Sequence, residues 1–344
     1  MSVVTPPQPT PALVIQTAFL GDVVLTTPLL DALAKRHGPL DVVTTPAAAG
    51  LLATHPAVRR ALPYDKKGKD SGVTGLLRLA RMLRAEGYDT AYLPHRSLRT
   101  AVLARLAGIP RRVGFADGWP LLYTETRPRP ADGHEIDRLL ALAGESSATY
   151  APHLFPGPGD TGAADALLAG AAITGAFVAL APGSIWGSKR WPYYAELAER
   201  LASRVALAVV GGPEDAAAGD AIVAAATRAG GRAVSACGKL SLLGATALIG
   251  RARALVTNDS APLHLATAAG TPIVALFGPT IPEFGFGPIG LEDTALGVAG
   301  LVCRPCSAHG PPACPLGHHR CMRELSVDRV LEAVEETGAL HRRD

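Results

Sequence analysis

The sequence predicts an α/β protein of two Rossmann-like domains, each a parallel sheet wound with helices on both faces. Three observations predict it. The chain has 344 residues, more than one typical core accommodates and enough for two domains of about 150 residues each. Hydrophobic residues make up 48% and charged residues 18%, a balance suited to large buried sheets. Short apolar strand signals alternate with helical ones through both halves, the pattern of repeated βα units.

The first eleven residues, MSVVTPPQPTP, have no basic stretch followed by an apolar core, so they read as a short leader and not as a secretory signal. A cytoplasmic protein is expected. Ala12–Ile15 is the first strand. It runs into Thr17-Ala18-Phe19-Leu20-Gly21-Asp22, where Gly21 is expected to turn the backbone. A helix over Pro28–Arg36 follows, with Leu29, Leu30 and Leu33 on one face. Leu40–Thr44 is a strand and Ala47–Ala53 a helix. Leu76–Ala85 is amphipathic, with Leu76, Leu79, Ala80 and Leu83 inward and three arginines outward. Thr90–Leu93, Thr100–Ala107 and Arg112–Phe115 read as strand, helix and strand.

Pro152–Gly162 is rich in proline and glycine and reads as the interdomain linker. The expected divisions are 1–155, 156–325, and a C-terminal helix and tail at 326–344. The second half restarts the grammar with strands at Phe177–Ala181, Val205–Val210, Ala233–Ser235, Ala254–Thr257 and Ile273–Phe277. Ser326 caps a final helix, Val327, Val330, Leu331 and Val334 form its stripe, and Gly338 ends it.

Several function classes are disfavoured. No apolar run approaches the ~20 residues of a membrane span. Neither half has a GxGxxG after its first strand, which argues against a dinucleotide-dependent dehydrogenase. The net charge is +3, but residues 1–150 hold 18 Lys and Arg against 13 Asp and Glu. Eight bases fall between Arg59 and Arg84, among them Lys66, Lys67 and Lys69. Such a run is ordinarily a solvated face, and it can also attract an anionic substrate or membrane surface. Aromatic residues are not interleaved with it, so nucleic acid is a poor fit.

Three places can carry chemistry. The strand at Ala254–Thr257 ends in Asn258-Asp259-Ser260, and the next helix has Pro262 in its first turn and carries His264. Asp259 or Ser260 suits the cap of that helix. The strand Ile273–Phe277 ends in Gly278-Pro279-Thr280. Polar groups at strand carboxyl ends beside helix N–H groups suit an anionic ligand, although an ordinary strand–helix–strand unit has the same pattern. The loop Gly183-Ser184, followed by Ser188 and Lys189, offers amides, hydroxyls and a point charge to a diphosphate. It lacks Walker A spacing, and a surface loop anchored by tryptophans is the plainer alternative. Asp22 is a candidate general base or the N-cap of a helix over Val23–Leu30, and spacing alone favours the cap.

Taken together, LGDVVLTTPLL (Leu20–Leu30), PGSIWGSKRWPYYAELAERL (Pro182–Leu201), GGPED (Gly211–Asp215) and NDSAPLHLATAAGTPIVALFGPT (Asn258–Thr280) closely resemble the ADP-heptose:lipopolysaccharide heptosyltransferase family. SLRTAVLARLAGIPRRVGF (Ser97–Phe115) and HEIDRLLAL (His134–Leu142) are similar to it as well, so the resemblance spans nearly the whole chain. It implies a GT-B fold with a central cleft and an inverting transfer of heptose from ADP-L-glycero-D-manno-heptose to a lipopolysaccharide inner-core acceptor. It implies no metal in catalysis. Asp22 falls on the general base. Gly183, Ser184, Ser188, Lys189, Asn258, Asp259, Ser260, Ala261, His264, Gly278, Pro279 and Thr280 fall on the donor side. Ser97 and Arg99 fall on the acceptor side, where the basic surface would meet phosphorylated lipid A, with peripheral contact at the inner membrane. Ala261 stands where many relatives have glycine, which narrows backbone access. A relative using another nucleotide sugar or glycan acceptor, and a non-catalytic nucleotide-sugar-binding protein, are the alternatives. A periplasmic sugar-binding protein is disfavoured by the missing export signal.

Cys303, Cys306, Cys314 and Cys321 occur within 19 residues. The CxxC pair resembles half of a structural zinc site that the other two complete, against the alternative of free thiols. A disulfide array does not suit a reducing compartment. The cluster lies apart in sequence from the strand-end motifs, so a catalytic zinc is disfavoured. Cys237 reads as an isolated buried thiol.

Overall fold

The computed structural model describes residues 12–148 and 150–340. The leader read at residues 1–11 and the last four residues of the tail lie outside them. The chain divides into two compact units, Met1–His153 and Leu154–Asp344.

In the first unit, β1 (Leu13–Ile15), β2 (Leu40–Thr44), β3 (Val58–Pro63), β4 (Thr90–Leu93), β5 (Arg111–Phe115) and β6 (Glu125–Arg127) form a parallel sheet in the order β3-β2-β1-β4-β5-β6. Its helices are α1 (Leu20–His37), α2 (Pro46–Leu51), α3 (Gly72–Ala85), α4 (Leu98–Leu106) and α5 (Glu135–Leu140). In the second unit, β7 (Phe177–Ala181), β8 (Ala206–Val209), β9 (Ala233–Ser235), β10 (Leu255–Asn258), β11 (Ile273–Leu276) and β12 (Thr294–Leu296) form a parallel sheet in the order β12-β11-β10-β7-β8-β9. Around it lie α6 (Pro158–Gly170), α7 (Tyr194–Leu201), α8 (Ala216–Arg228), α9 (Leu242–Ile249), α10 (Ala261–Ala269), α11 (Arg320–Arg323) and α12 (Val327–Glu336).

Counted within each unit, both sheets have the doubly wound order 3-2-1-4-5-6. The order reverses between β1 and β4 in one and between β7 and β10 in the other, and such switch points open a crevice at the strand carboxyl ends. The central strands β1, β2, β4, β7, β10 and β11 are buried along their whole length. Helices covering both faces demand that, which is why these strands read as continuous apolar runs. Leu13, Ile15, Val43, Leu79, Leu83 and Leu103 belong to one core, and Val178, Leu180, Leu197, Val256, Val330 and Val334 to the other.

Three expectations are corrected. The first helix starts at Leu20, not Pro28, and runs for 18 residues with Pro28 inside it. A proline there lacks the N–H that would bond the carbonyl of Val24, and the Thr27 hydroxyl donates to that carbonyl instead, at 2.8 Å. Gly21 consequently lies within the first helical turn and turns nothing. The linker is shorter than Pro152–Gly162, because α6 begins at Pro158, with the Asp160 carboxylate accepting the Gly157 N–H at 3.0 Å. Strands β3, β6 and β12 carry no strong sequence signal. All three lie at sheet edges, where the chain is polar or irregular and alternation fades.

Candidate active site

In the first unit the site grows from the end of β1. The Gln16 side chain donates to the Thr26 hydroxyl at 2.9 Å and accepts from the Ala18 N–H at 3.2 Å, which ties the strand end to α1. Asp22 is the third residue of α1, and its carboxylate accepts the N–H of Phe19 at 3.2 Å. The cap reading is therefore right in kind: Asp22 reaches back over the helix start, as the third residue of a capping box does. Burial raises its pKa to about 6, and the Glu135 charge adds to this, while the Phe19 amide and Arg129 oppose it.

Glu135 and Arg129 were not singled out as site residues. Glu135 is buried at the start of α5, 2.5 Å from Arg129 and 3.5 Å from Arg138. The signal lay in the HEIDR stretch, where a buried Glu–Arg cluster cannot be told from an exposed helix start.

The two residues expected on the acceptor side lie after β4, the other strand of the switch point. Ser97 takes the N-cap position of α4 without capping it through its side chain. Arg99 is committed within its own unit: it donates to the Tyr64 hydroxyl at 2.6 Å and to the carbonyls of Asp70 and Gly72 at 3.1 and 2.9 Å. It braces the 64–72 loop. The basic run also thins on inspection. Arg59 and Arg60 clamp the fully buried Asp41, and Arg78 pairs with Asp70. Lys66 donates to the Thr17 carbonyl at 2.6 Å, whereas Lys67 and Lys69 are exposed. Burial opposes ionisation of Asp41, yet hydrogen bonds from Arg59, Arg60 and Tyr88 bring its pKa to about 2.

In the second unit the ends of β7 and β10 are stitched together. Asn258, fully buried, donates to the Pro182 carbonyl at 2.8 Å and accepts the Trp191 N–H at 3.1 Å. Its side chain thus holds the wall and does not present itself to a ligand. Ser260 occupies the N-cap position of α10, but its hydroxyl donates to the Gly183 carbonyl at 3.2 Å and no side chain caps the helix. Asp259 does not cap either. It accepts from Lys189 Nζ and from the Thr280 hydroxyl, both at 2.6 Å, all three groups being buried. The expectation that one of these two residues caps α10 is corrected: cross-strand partners outcompete the local bond, leaving helix amides uncommitted to side chains.

Gly183 is required by this packing, since a Cβ there would lie 2.2 Å from the Asp215 carboxylate. Ser184 accepts the Trp186 N–H at 3.2 Å, and Arg190 donates to the Ser184 carbonyl at 2.8 Å. His264 is buried edge-on to Phe286, with ring centres 6.3 Å apart. Gly278, Pro279 and Thr280 are buried just after β11. The structure thus places Gly183, Ser184, Ser188, Lys189, Asp259, Ser260, Ala261 and Thr280 around one switch point, with Ala261 part-exposed at the start of α10.

The model for glycosyltransferase family 9 (heptosyltransferase) matches residues 76–314, most of the chain. The chain belongs to that family. Among family 9 relatives, lipopolysaccharide heptosyltransferase 2 of Salmonella typhimurium is 28% identical over 306 residues, covering 79% of this chain and 84% of that protein. Lipooligosaccharide heptosyltransferase 2 of Haemophilus influenzae is 30% identical over 298 residues, with the same coverages. The structure of E. coli ADP-heptose lps heptosyltransferase II superimposes with a TM-score of 0.77 at 26% identity, covering 95% of this chain and 98% of that one. This family 9 chain is a glycosyltransferase with the GT-B architecture of two parallel-sheet units. No helix among the described residues is long and apolar enough to cross a membrane.

Proposed function

We propose that this glycosyltransferase moves heptose from ADP-L-glycero-D-manno-heptose to a Kdo- or heptose-bearing lipid A acceptor of the lipopolysaccharide inner core. The relatives' names give the sugar and the glycan. The observation within the chain that carries the chemistry is Asp22, a carboxylate tuned near neutrality at the switch point of its sheet. Asp22 takes the proton of the acceptor hydroxyl as its oxygen attacks the anomeric carbon. The bond from that carbon to the diphosphate oxygen breaks, and ADP leaves with the electron pair. One displacement with one base inverts the anomeric configuration.

The donor half suits a diphosphate without a metal in catalysis. Lys189 has three N–H donors, and one is spent on Asp259, which fixes the ammonium in place. The uncapped start of α10 adds amides and the positive end of the helix dipole. We infer that transfer occurs at the cytoplasmic face of the inner membrane, where exposed Lys67 and Lys69 meet phosphorylated lipid A.

The test is transfer in vitro from ADP-heptose, with UDP- and GDP-sugars as competitors. Asp22→Ala should lose turnover by orders of magnitude while ADP-heptose affinity stays within a few-fold. Retained turnover in that variant would assign the proton transfer elsewhere.

A further inference from the structure

The stretch between β12 and α11, residues 297–319, contains neither helix nor strand. It is bonded to the loop that carries Ser188 and Lys189, although the two are far apart in sequence. Arg304 donates to the carbonyls of Phe277 and Thr280, each at 3.0 Å, and the Cys306 N–H donates to the Pro279 carbonyl at 2.8 Å. The Ser188 hydroxyl donates to the Pro311 carbonyl. A serine hydroxyl has a single proton, so Ser188, expected from the sequence to serve a diphosphate, has committed it to this stretch. The two segments touch at glycines. A Cβ on Gly187 would lie 2.5 Å from the Pro312 carbonyl oxygen, and one on Gly310 would lie 3.1 Å from Lys189 Cε. Among the described residues no group of three Cys, His, Asp or Glu side chains is placed to hold a metal ion, so the zinc expected at Cys303, Cys306, Cys314 and Cys321 does not fit the stretch as it stands.

His319 closes the stretch, and its Nε2 lies 2.7 Å from the Ser188 carbonyl oxygen. A carbonyl only accepts, so this contact assigns the ring proton to Nε2. The backbone of His319 is left-handed, with φ 50° and ψ 32°. Glycine adopts that conformation freely and histidine is strained in it, which points to a use for the ring. The ring also stands on a rigid base. The N–H groups of Met322 and Arg323 donate to the His319 carbonyl at 3.1 and 3.0 Å, and Met322 is fully buried in the core of the second unit. Just beyond α11, the Leu325 carbonyl accepts the Trp191 indole N–H at 2.9 Å, and the Arg323 carbonyl accepts the Tyr193 hydroxyl at 3.1 Å. The turn Gly187–Lys189 is thus pinned at Ser188 and again just after Lys189.

We propose that His319 is a positioning residue for the donor: its Nε2–H holds the Ser188 carbonyl, and through it the turn that aims Lys189 at the diphosphate. The Lys189 ammonium is bonded to Asp259, but it sits on a flexible four-carbon stem. Where that stem starts, which the turn sets, decides where the remaining ammonium protons point. His319 acts through the main chain of Ser188 and does not touch the donor. This role rests on the donor reading above, because the aim of Lys189 matters only if Lys189 meets the diphosphate.

The experiment compares ADP with adenosine, which lacks the phosphates, by calorimetry on the full-length protein. His319→Asn keeps a residue that tolerates left-handed backbone, and its amide is too short to reach the Ser188 carbonyl. His319→Gly removes the ring and the strain together. Both should bind ADP about tenfold more weakly, the effect of losing one well-placed hydrogen bond, and should bind adenosine as the wild type does. His319→Gln, whose longer side chain carries an amide N–H back toward that carbonyl, should recover most of the lost ADP affinity. Unchanged ADP affinity in the Asn and Gly variants overturns the positioning role. Equal losses for ADP and adenosine also overturn it, because a general loosening of the second unit would weaken both. A Gln variant as weak as the Asn variant overturns the hydrogen bond as the means. Wild-type protein that binds ADP no better than adenosine overturns the donor reading, and the role of His319 with it.

Discussion

The cap and the proposed base, which the sequence presented as alternatives for Asp22, are compatible in one position. The Asp22 carboxylate closes the start of α1 on the Phe19 amide, and the same half-buried position, reached by the Glu135 charge, holds its proton affinity near neutrality. The rate of transfer should accordingly rise with pH through about 6 and then level off, measured as kcat/KM across a pH series. Glu135→Gln removes a like charge, so its rising limb should move to lower pH; an unmoved limb would exclude Glu135 as a tuning group. Stability follows with the opposite sense. The folded chain holds this proton more tightly than the unfolded one, whose value is 3.8, so stability falls as pH rises from there to about 6. Asp22→Asn should escape that loss, and its thermal midpoint at pH 7.5 should lie at or above the wild type's.

At the scale of elements, the ends of β7, β10 and β11 act as one piece because buried side chains cross between them. The Lys189–Asp259–Thr280 set is the clearest case. Removing one partner of a buried pair strands the other, at a cost of about 3–5 kcal/mol. Lys189→Ala should therefore lose both stability and ADP affinity. Lys189→Met combined with Asp259→Leu should recover stability but not affinity, as seen in paired denaturation and calorimetry. If the double variant regained ADP binding, Lys189 would have no direct part in holding the diphosphate. Most of these elements were legible. Central strands announce themselves because burial on both faces demands apolar runs. Edge strands β3, β6 and β12 do not, and α1 was read eight residues short because a lone proline looks like a boundary until Thr27 is seen to replace its missing bond.

For the whole molecule, the division of labour between units makes a separable prediction. Asp22 belongs to one unit and the residues proposed to hold the diphosphate to the other, so substitutions in each should act on different constants. Charge reversal at the exposed Lys67 and Lys69 should raise the KM for a phosphorylated lipid A acceptor and weaken its salt dependence, leaving ADP-heptose affinity unchanged. Unchanged acceptor kinetics would remove that surface from the reading. Lys66 is excluded from this test, because it holds the Thr17 carbonyl and its loss would disturb the β1 end.

By itself the sequence determined the α/β class, the two-unit organisation, the family resemblance and the polar strand ends that are proposed to hold the donor. Those follow from local periodicity, turn residues and motif order, all of which are written along the chain. Only the tertiary structure decided which polar residues remain for a ligand. Asn258, Arg99 and Arg59 looked equally available, and each is consumed by partners 18 to 76 residues away. It also decided that the Glu135 charge reaches Asp22 and that the stretch holding Cys303 and Cys314 is bonded to Ser188 and Thr280. Sequence spacing carries no information about such contacts, because they are made by the return of a distant segment to the same switch point.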